Sequence, residues 1–66
     1  MQITVNGQAR QVADELSVDA LVREISDRST GIAVAVNGEV VPRGSWGDTA
    51  VRPGDRIDVV TAVQGG

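Results

Sequence analysis

The chain contains no cysteine and no histidine, and its aromatic content is one tryptophan. Without a thiolate or an imidazole it lacks the common nucleophile–base pairs, redox thiols and structural zinc ligands. Most hydrolase, redox and zinc mechanisms are thereby excluded. Lysine is also absent: all six cations are arginine, so the chain cannot link to copies of itself through a lysine amine. No apolar run reaches the roughly 18 residues of a membrane span. The opening Met1-Gln2-Ile3-Thr4-Val5 has neither the basic region nor the continuous apolar region of a secretory leader. A soluble, cytoplasmic protein is the expectation. Nine acidic residues against six arginines leave a formal charge of -3, which repels phosphate backbones and anionic lipid. Neither nucleic acid nor a membrane surface is expected as a partner.

What remains is enough for one small domain. A fold of 66 residues buries only about 60% of its unfolded surface, and 41% apolar residues spread along the chain supply a modest core without a disulfide or metal. Met1, Ile3 and Val5 alternate with Gln2 and Thr4, the period-two pattern of a half-buried strand, and Asn6-Gly7 then accepts the positive φ of a type I′ turn. The return strand, about residues 8–12, is polar apart from Ala9 and Val12 and is expected at an edge.

Val18, Leu21, Val22 and Ile25 then fall at i, i+3, i+4 and i+7 on one helical face. Ser17 is placed to cap this helix, Asp19 sits in its first turn, and Leu16 precedes the cap as a staple against Leu21. Arg28 and Gly31 mark its expected end. Ile32-Ala33-Val34-Ala35-Val36 reads as an interior strand covered on both faces, followed by a second turn pair, Asn37-Gly38, and a partner strand Glu39-Val40-Val41 that Pro42 ends. Residues 43–50, with Gly44, Trp46 and Gly47, read as an irregular crossing. Pro53-Gly54 fits a type II turn and leads into the last strand, about residues 56–63. Two strands, a helix and two or three further strands give an α+β architecture. Right-handed crossover through the helix sets the later strands beside the first, which is the ubiquitin-like β-grasp fold with a mixed sheet of four to five strands and one main helix on one face. A ferredoxin-like arrangement would need a second helix.

The chain closes on Val63-Gln64-Gly65-Gly66, two residues without side chains directly after a strand. Such an end is either incidental fraying or a tail thin enough to enter a slot where a Cβ would clash, delivering the terminal carboxylate to another protein. The consecutive apolar residues Val59-Val60 and Ala62-Val63 point to a partner-binding patch on the sheet face away from the helix, with Val60 and Ala62 as its outward positions. Arg43 and Trp46 are read first as packing residues. Asp14, Glu15, Asp19, Glu24 and Asp27 are read as a solvated acidic face. No carboxylate pair has the spacing of an acid–base couple or a metal cage. Gly38, Gly44 and Gly47 precede no helix start and make no phosphate loop. No catalytic residue and no metal site is expected.

The run Val36-Asn37-Gly38-Glu39-Val40-Val41-Pro42-Arg43 through Trp46, with Gly54-Asp55-Arg56-Ile57 and the closing Gly65-Gly66, resembles the ThiS sulfur-carrier family. The Asn-Gly-x-Val-Val-Pro-Arg-x-x-Trp stretch is the specific part. Gly-Asp before the last strand and the terminal glycines are shared by many β-grasp carriers, including the molybdopterin synthase small subunit. The resemblance implies a domain over residues 1–63 and a flexible carrier tail at 64–66, with Gly66 as the attachment residue and Gly65 and Gln64 giving the tail its access. It further implies that a ThiF-like enzyme, using ATP, adenylates the Gly66 carboxylate, and that a sulfur donor protein converts it to a thiocarboxylate. A ThiG-like thiazole synthase then takes the sulfur for the thiazole of thiamin. The chain would bind no cofactor and would be no enzyme itself. Alternatives are a carrier for another sulfur pathway such as molybdopterin synthesis, a protein modifier joined through Gly66, or an interaction domain that does not use its tail.

Overall fold

The computed structural model describes residues 1–26 and 31–61. Alternation of apolar and polar side chains produces strand β1 (Gln2–Val5), and the Asn6-Gly7 turn returns it antiparallel as β2 (Gln8–Gln11). Asn6 and Gly7 have φ of 50° and 83°, the two positive values a type I′ turn requires. A two-residue strand β3 (Leu16–Ser17) leads directly into helix α1 (Val18–Ile25). The Ser17 hydroxyl accepts from the Ala20 amide at 3.1 Å, which fills one of the orphan donors at the helix start. Asp19 lies in the first turn and pairs with Arg23 in the last, at 3.2 Å.

After α1 come β4 (Ile32–Val36) and β5 (Glu39–Val41), joined by Asn37-Gly38 with φ of 52° and 87°. A 3-10 helix (Arg43–Asp48), a short β6 (Ala50–Val51) and the long β7 (Arg56–Thr61) complete the chain. The main sheet has the order β2-β1-β7-β4-β5, with β7 parallel to β1 and antiparallel to β4, and β3 pairs separately with β6. This is the mixed five-stranded sheet and single main helix of the β-grasp fold, with β2 at an edge as its polarity predicts.

One face of the sheet receives α1. Ile3, Val34 and Ile57 from the sheet meet Val18, Leu21 and Val22 from the helix, and Leu16, Trp46 and Val51 close the same core. Val5, Ile25 and Val59 pack against it half-buried. Burial of these side chains supplies most of the driving force, at roughly 1.5–3 kcal/mol for each large apolar group.

Three expectations need correction. Helix α1 stops at Ile25, because Ser26 takes extended backbone (φ -149°, ψ 138°) while its amide still donates to the Val22 carbonyl; the expected terminal Arg28 lies outside the described residues, and Gly31 has a positive φ of 72°. The expected irregular crossing contains regular 3-10 structure. Pro42 sets its entry, the Ser45 amide donates to the Pro42 carbonyl at 2.8 Å, and the Thr49 hydroxyl donates to the Ser45 carbonyl at 2.7 Å. Strand β4 is interior in its pairing but covered on one face only, since Val34 is buried while Ala33 is exposed. The continuous apolar run concealed this, because alanine fits either environment.

Candidate functional site

The last strand is held from both sides. β7 lies between β1 and β4, and Ile57, fully buried, anchors it in the core. Its entry is fixed by the turn around Pro53-Gly54, where the Asp55 amide donates to the Arg52 carbonyl at 3.1 Å and Gly54 has a φ of 82°. The Asp55 carboxylate accepts from the Arg52 amide at 2.8 Å and from Asn37 Nδ2 at 3.0 Å, while Asn37 Oδ1 accepts from the Arg56 amide at 3.0 Å. On the other side Asn6 Oδ1 accepts from the Val59 amide at 2.8 Å, and the Asn6 amide donates to the Ile57 carbonyl at 2.9 Å. The two Asn-Gly turns therefore do more than reverse the chain: each docks its asparagine onto β7. Of the predicted site residues, Ala62, Gln64, Gly65 and Gly66 lie outside the described residues.

Val60 is described, and it is 61% exposed. It stands opposite Ala33, and Ala35 stands between Val40 and Asp58, so directly paired residues share the face away from α1. Among the described residues Val40 is the most exposed large apolar side chain, at 72%. An apolar stripe of Val60, Ala33, Ala35 and Val40 thus crosses β7, β4 and β5, bordered by Arg56 and Asp58, whose charged groups approach to 3.9 Å. Sequence reasoning found Val60 and missed Val40. The adjacent pair Val40-Val41 carried the signal, since in a strand only one of the two can face the core.

The other candidates behave as packing or surface groups. Trp46 is buried, its Nε1–H donates to the Val41 carbonyl at 3.0 Å, and the Arg43 guanidinium lies over the ring at 5.5 Å from its centre. Asp14 accepts from the Met1 amino group at 3.0 Å, and Glu24 faces Arg10 at 3.8 Å; Asp27 lies outside the described residues. A groove of about 460 Å³ runs beside the end of β7, lined by Val5, Asn6, Ile25, Val59 and Thr61 among others, with Arg10 as the ionisable residue among the described residues of its wall. Among the described residues no three acidic side chains converge as a metal cage would require, and no helix is long and apolar enough to cross a membrane.

Comparison with known proteins agrees with this geometry. Residues 3–66 match the model of the ThiS family. The chain is 38% identical to the sulfur carrier protein ThiS of Escherichia coli over 66 residues, covering 100% of both chains. It superposes on the crystal structure of the thiamine biosynthesis protein ThiS from Geobacter metallireducens with a TM-score of 0.86 and 32% identity, again covering 100% of each. It is also 35% identical to a thiazole synthase of Paramagnetospirillum magneticum, all of this chain matching 20% of that longer protein. A resemblance carried by the Asn-Gly to Trp stretch and the terminal glycines is thus matched along the whole length and by the fold: the chain belongs to the ThiS family of sulfur carriers in thiamine biosynthesis.

Proposed function

We propose that the chain carries sulfur as a thiocarboxylate on Gly66 and delivers it to thiazole formation. The observation that carries this reading is the anchoring of β7 at the centre of the sheet, immediately before the segment that ends in Gln64-Gly65-Gly66. A carboxylate is a poor electrophile until one oxygen is joined to phosphorus. An ATP-using, ThiF-like enzyme supplies that activation: the Gly66 carboxylate attacks the α-phosphorus and pyrophosphate leaves. The outer sulfur of a persulfide on a donor protein then displaces AMP, and a thiol cleaves the acyl disulfide so formed, releasing the thiocarboxylate as a disulfide is left on the donor side. The resulting thiocarboxylate is an anionic sulfur nucleophile for a ThiG-like thiazole synthase. The thiazole synthase that matches this chain over part of its length supports that partner class. In this reading the chain is a substrate of its partners, which supply the catalysis and the ATP site, and the chain itself binds no cofactor or metal.

The dimensions connect the tail to the exposed stripe. Five residues follow Thr61, and even fully extended they span no more than about 18 Å. A partner active site must therefore approach the end of β7 closely, and in this reading the partner rests on the sheet face carrying Val60 and Ala33, with Val40 and Ala35 beyond. Ala62 continues the same alternation in the sequence. Desolvating such a stripe gives affinity with little directional demand, while the tail confers chemical specificity.

ATP–pyrophosphate exchange with the cognate activating enzyme tests the tail. Adding Ala after Gly66 moves the carboxylate about 3.3 to 3.6 Å out of register and should abolish exchange, and Gly65→Val should slow it by adding a branched Cβ. Thermal unfolding should be unaltered in both. Exchange at the parent rate in both variants would refute the carrier reading and leave an interaction domain as the better account.

A further inference from the structure

The chain has two asparagines, and each precedes glycine in nearly the same tetrapeptide: Val5-Asn6-Gly7-Gln8 and Val36-Asn37-Gly38-Glu39. An Asn-Gly bond is chemically labile because the glycine amide nitrogen, unhindered by a Cβ, can attack the asparagine side-chain carbonyl. Local sequence makes the two sites near-equivalents. The fold does not.

Both turns are exposed, both asparagines have φ near 50°, and each donates its own amide to β7. The difference is in the side chains. Among the described residues the Asn6 side chain is held through Oδ1 alone, by the Val59 amide at 2.8 Å. Asn37 is held at both ends: Oδ1 accepts from the Arg56 amide at 3.0 Å, and Nδ2 donates to the Asp55 carboxylate at 3.0 Å. Asp55 is itself fixed by the Arg52 amide at 2.8 Å. Attack requires the asparagine side chain to release these bonds and rotate its carbonyl carbon over the next nitrogen. Asn37 must break one more bond, to a charged acceptor, and that bond holds the nitrogen that would leave as ammonia.

We propose that Asn6 is a site of spontaneous deamidation in the folded protein and that Asp55 protects its counterpart Asn37. The Gly7 nitrogen bonds to Cγ of Asn6, the Cγ–Nδ2 bond breaks, and the nitrogen leaves as ammonia with the proton lost from Gly7. Water then opens the cyclic imide at either carbonyl, giving aspartate or isoaspartate. Aspartate at position 6 retains an oxygen for the Val59 amide. Isoaspartate lengthens the main chain by one methylene at the junction of β1 with β7 and removes that contact, so the damage falls on the strand that leads into the tail. At position 37 even the aspartate product would set a second carboxylate against Asp55.

The test is incubation of the intact protein at mildly alkaline pH, folded and in urea, with peptide mapping of both sites over time. The readout is the protection of each site, its rate in urea divided by its rate in the folded state. Asn37 should be protected about fivefold more than Asn6, the factor corresponding to one additional net hydrogen bond of ~1 kcal/mol. In Asp55→Ala the protection of Asn37 should fall toward that of Asn6 while Asn6 is unchanged. In Asp55→Asn, which leaves one side-chain oxygen for the two donors Asn37 Nδ2 and the Arg52 amide, it should fall in part, and this variant serves should the alanine one not fold. Hydrogen exchange at the Val59 amide should accelerate in the isoaspartate form. Equal protection at the two sites, greater protection of Asn6, or an Asn37 rate indifferent to Asp55 would overturn the proposal.

Discussion

Leu21 is fully buried where α1 meets the sheet, and its replacement by alanine tests the packing that positions β7. The change removes three carbons from a site with no exposed surface. At ~0.8 kcal/mol for each methylene equivalent the transfer loss alone is about 2.4 kcal/mol, and a cavity that fails to collapse adds up to roughly 2 more. The expected loss is therefore about 2.5–4.5 kcal/mol. A 66-residue domain has a stability of only about 3–10 kcal/mol, so the substitution should remove at least about a quarter of it and, at the low end of that range, all of it. For a domain of this size each kcal/mol shifts the midpoint by about 4–8 °C, which places the fall in Tm at about 10 °C or more. Thermal unfolding followed by fluorescence is well suited, because buried Trp46 belongs to the same core cluster and reports its opening. Val40→Ala serves as control: at 72% exposure it should change stability by no more than about 0.5 kcal/mol. A Leu21→Ala midpoint within about 5 °C of the parent, or a Val40→Ala loss as large as that of Leu21→Ala, would refute this assignment of faces.

Ser17→Ala removes the hydroxyl that accepts from the Ala20 amide and should cost about 1 kcal/mol in urea unfolding with the slope m unchanged. Trp46→Phe deprives the Val41 carbonyl of its indole donor and should cost about 1–3 kcal/mol by circular dichroism melts, whereas Arg43→Ala, which loses only a ring contact at an exposed residue, should cost less than about 1 kcal/mol. Val60→Asp and Val40→Asp place a charge on the open sheet face. Each should weaken binding to the activating enzyme at least about tenfold by calorimetry, as expected of a central interface residue worth more than ~1.4 kcal/mol, with the melting midpoint unchanged; unaltered binding in both would remove the stripe from the interface.

Much of this architecture is legible in the sequence because the signals are local and agree with one another. Val18, Leu21, Val22 and Ile25 fix the buried stripe of α1 by spacing alone, and Ser17 fixes its start. The two Asn-Gly pairs and Pro53-Gly54 announce turns through conformations that few other residues adopt. Less was legible where one residue type serves two environments. Ala33 and Ala35 gave β4 the appearance of a strand covered on both sides, and only the pairing of Ala33 with Val60 and of Ala35 with Val40 exposes the open stripe. The roles of Asn6, Asn37 and Asp55 as clamps on β7 were not legible either, because their partners lie far away in sequence: Val59 is 53 residues from Asn6, and Asp55 is 18 from Asn37. The terminal glycines draw their meaning from the family match together with the central strand before them, since two residues without side chains carry no periodicity of their own.

The most direct test of the carrier account is the intact mass of the protein after incubation with a ThiF-like activating enzyme, ATP and a sulfur donor, followed by fragmentation to locate any change. The account predicts a mass gain equal to replacement of one oxygen by sulfur, confined to Gly66 and absent when ATP is withheld. An unchanged mass with an active enzyme, or attachment of the whole chain to amines of other proteins, would contradict it.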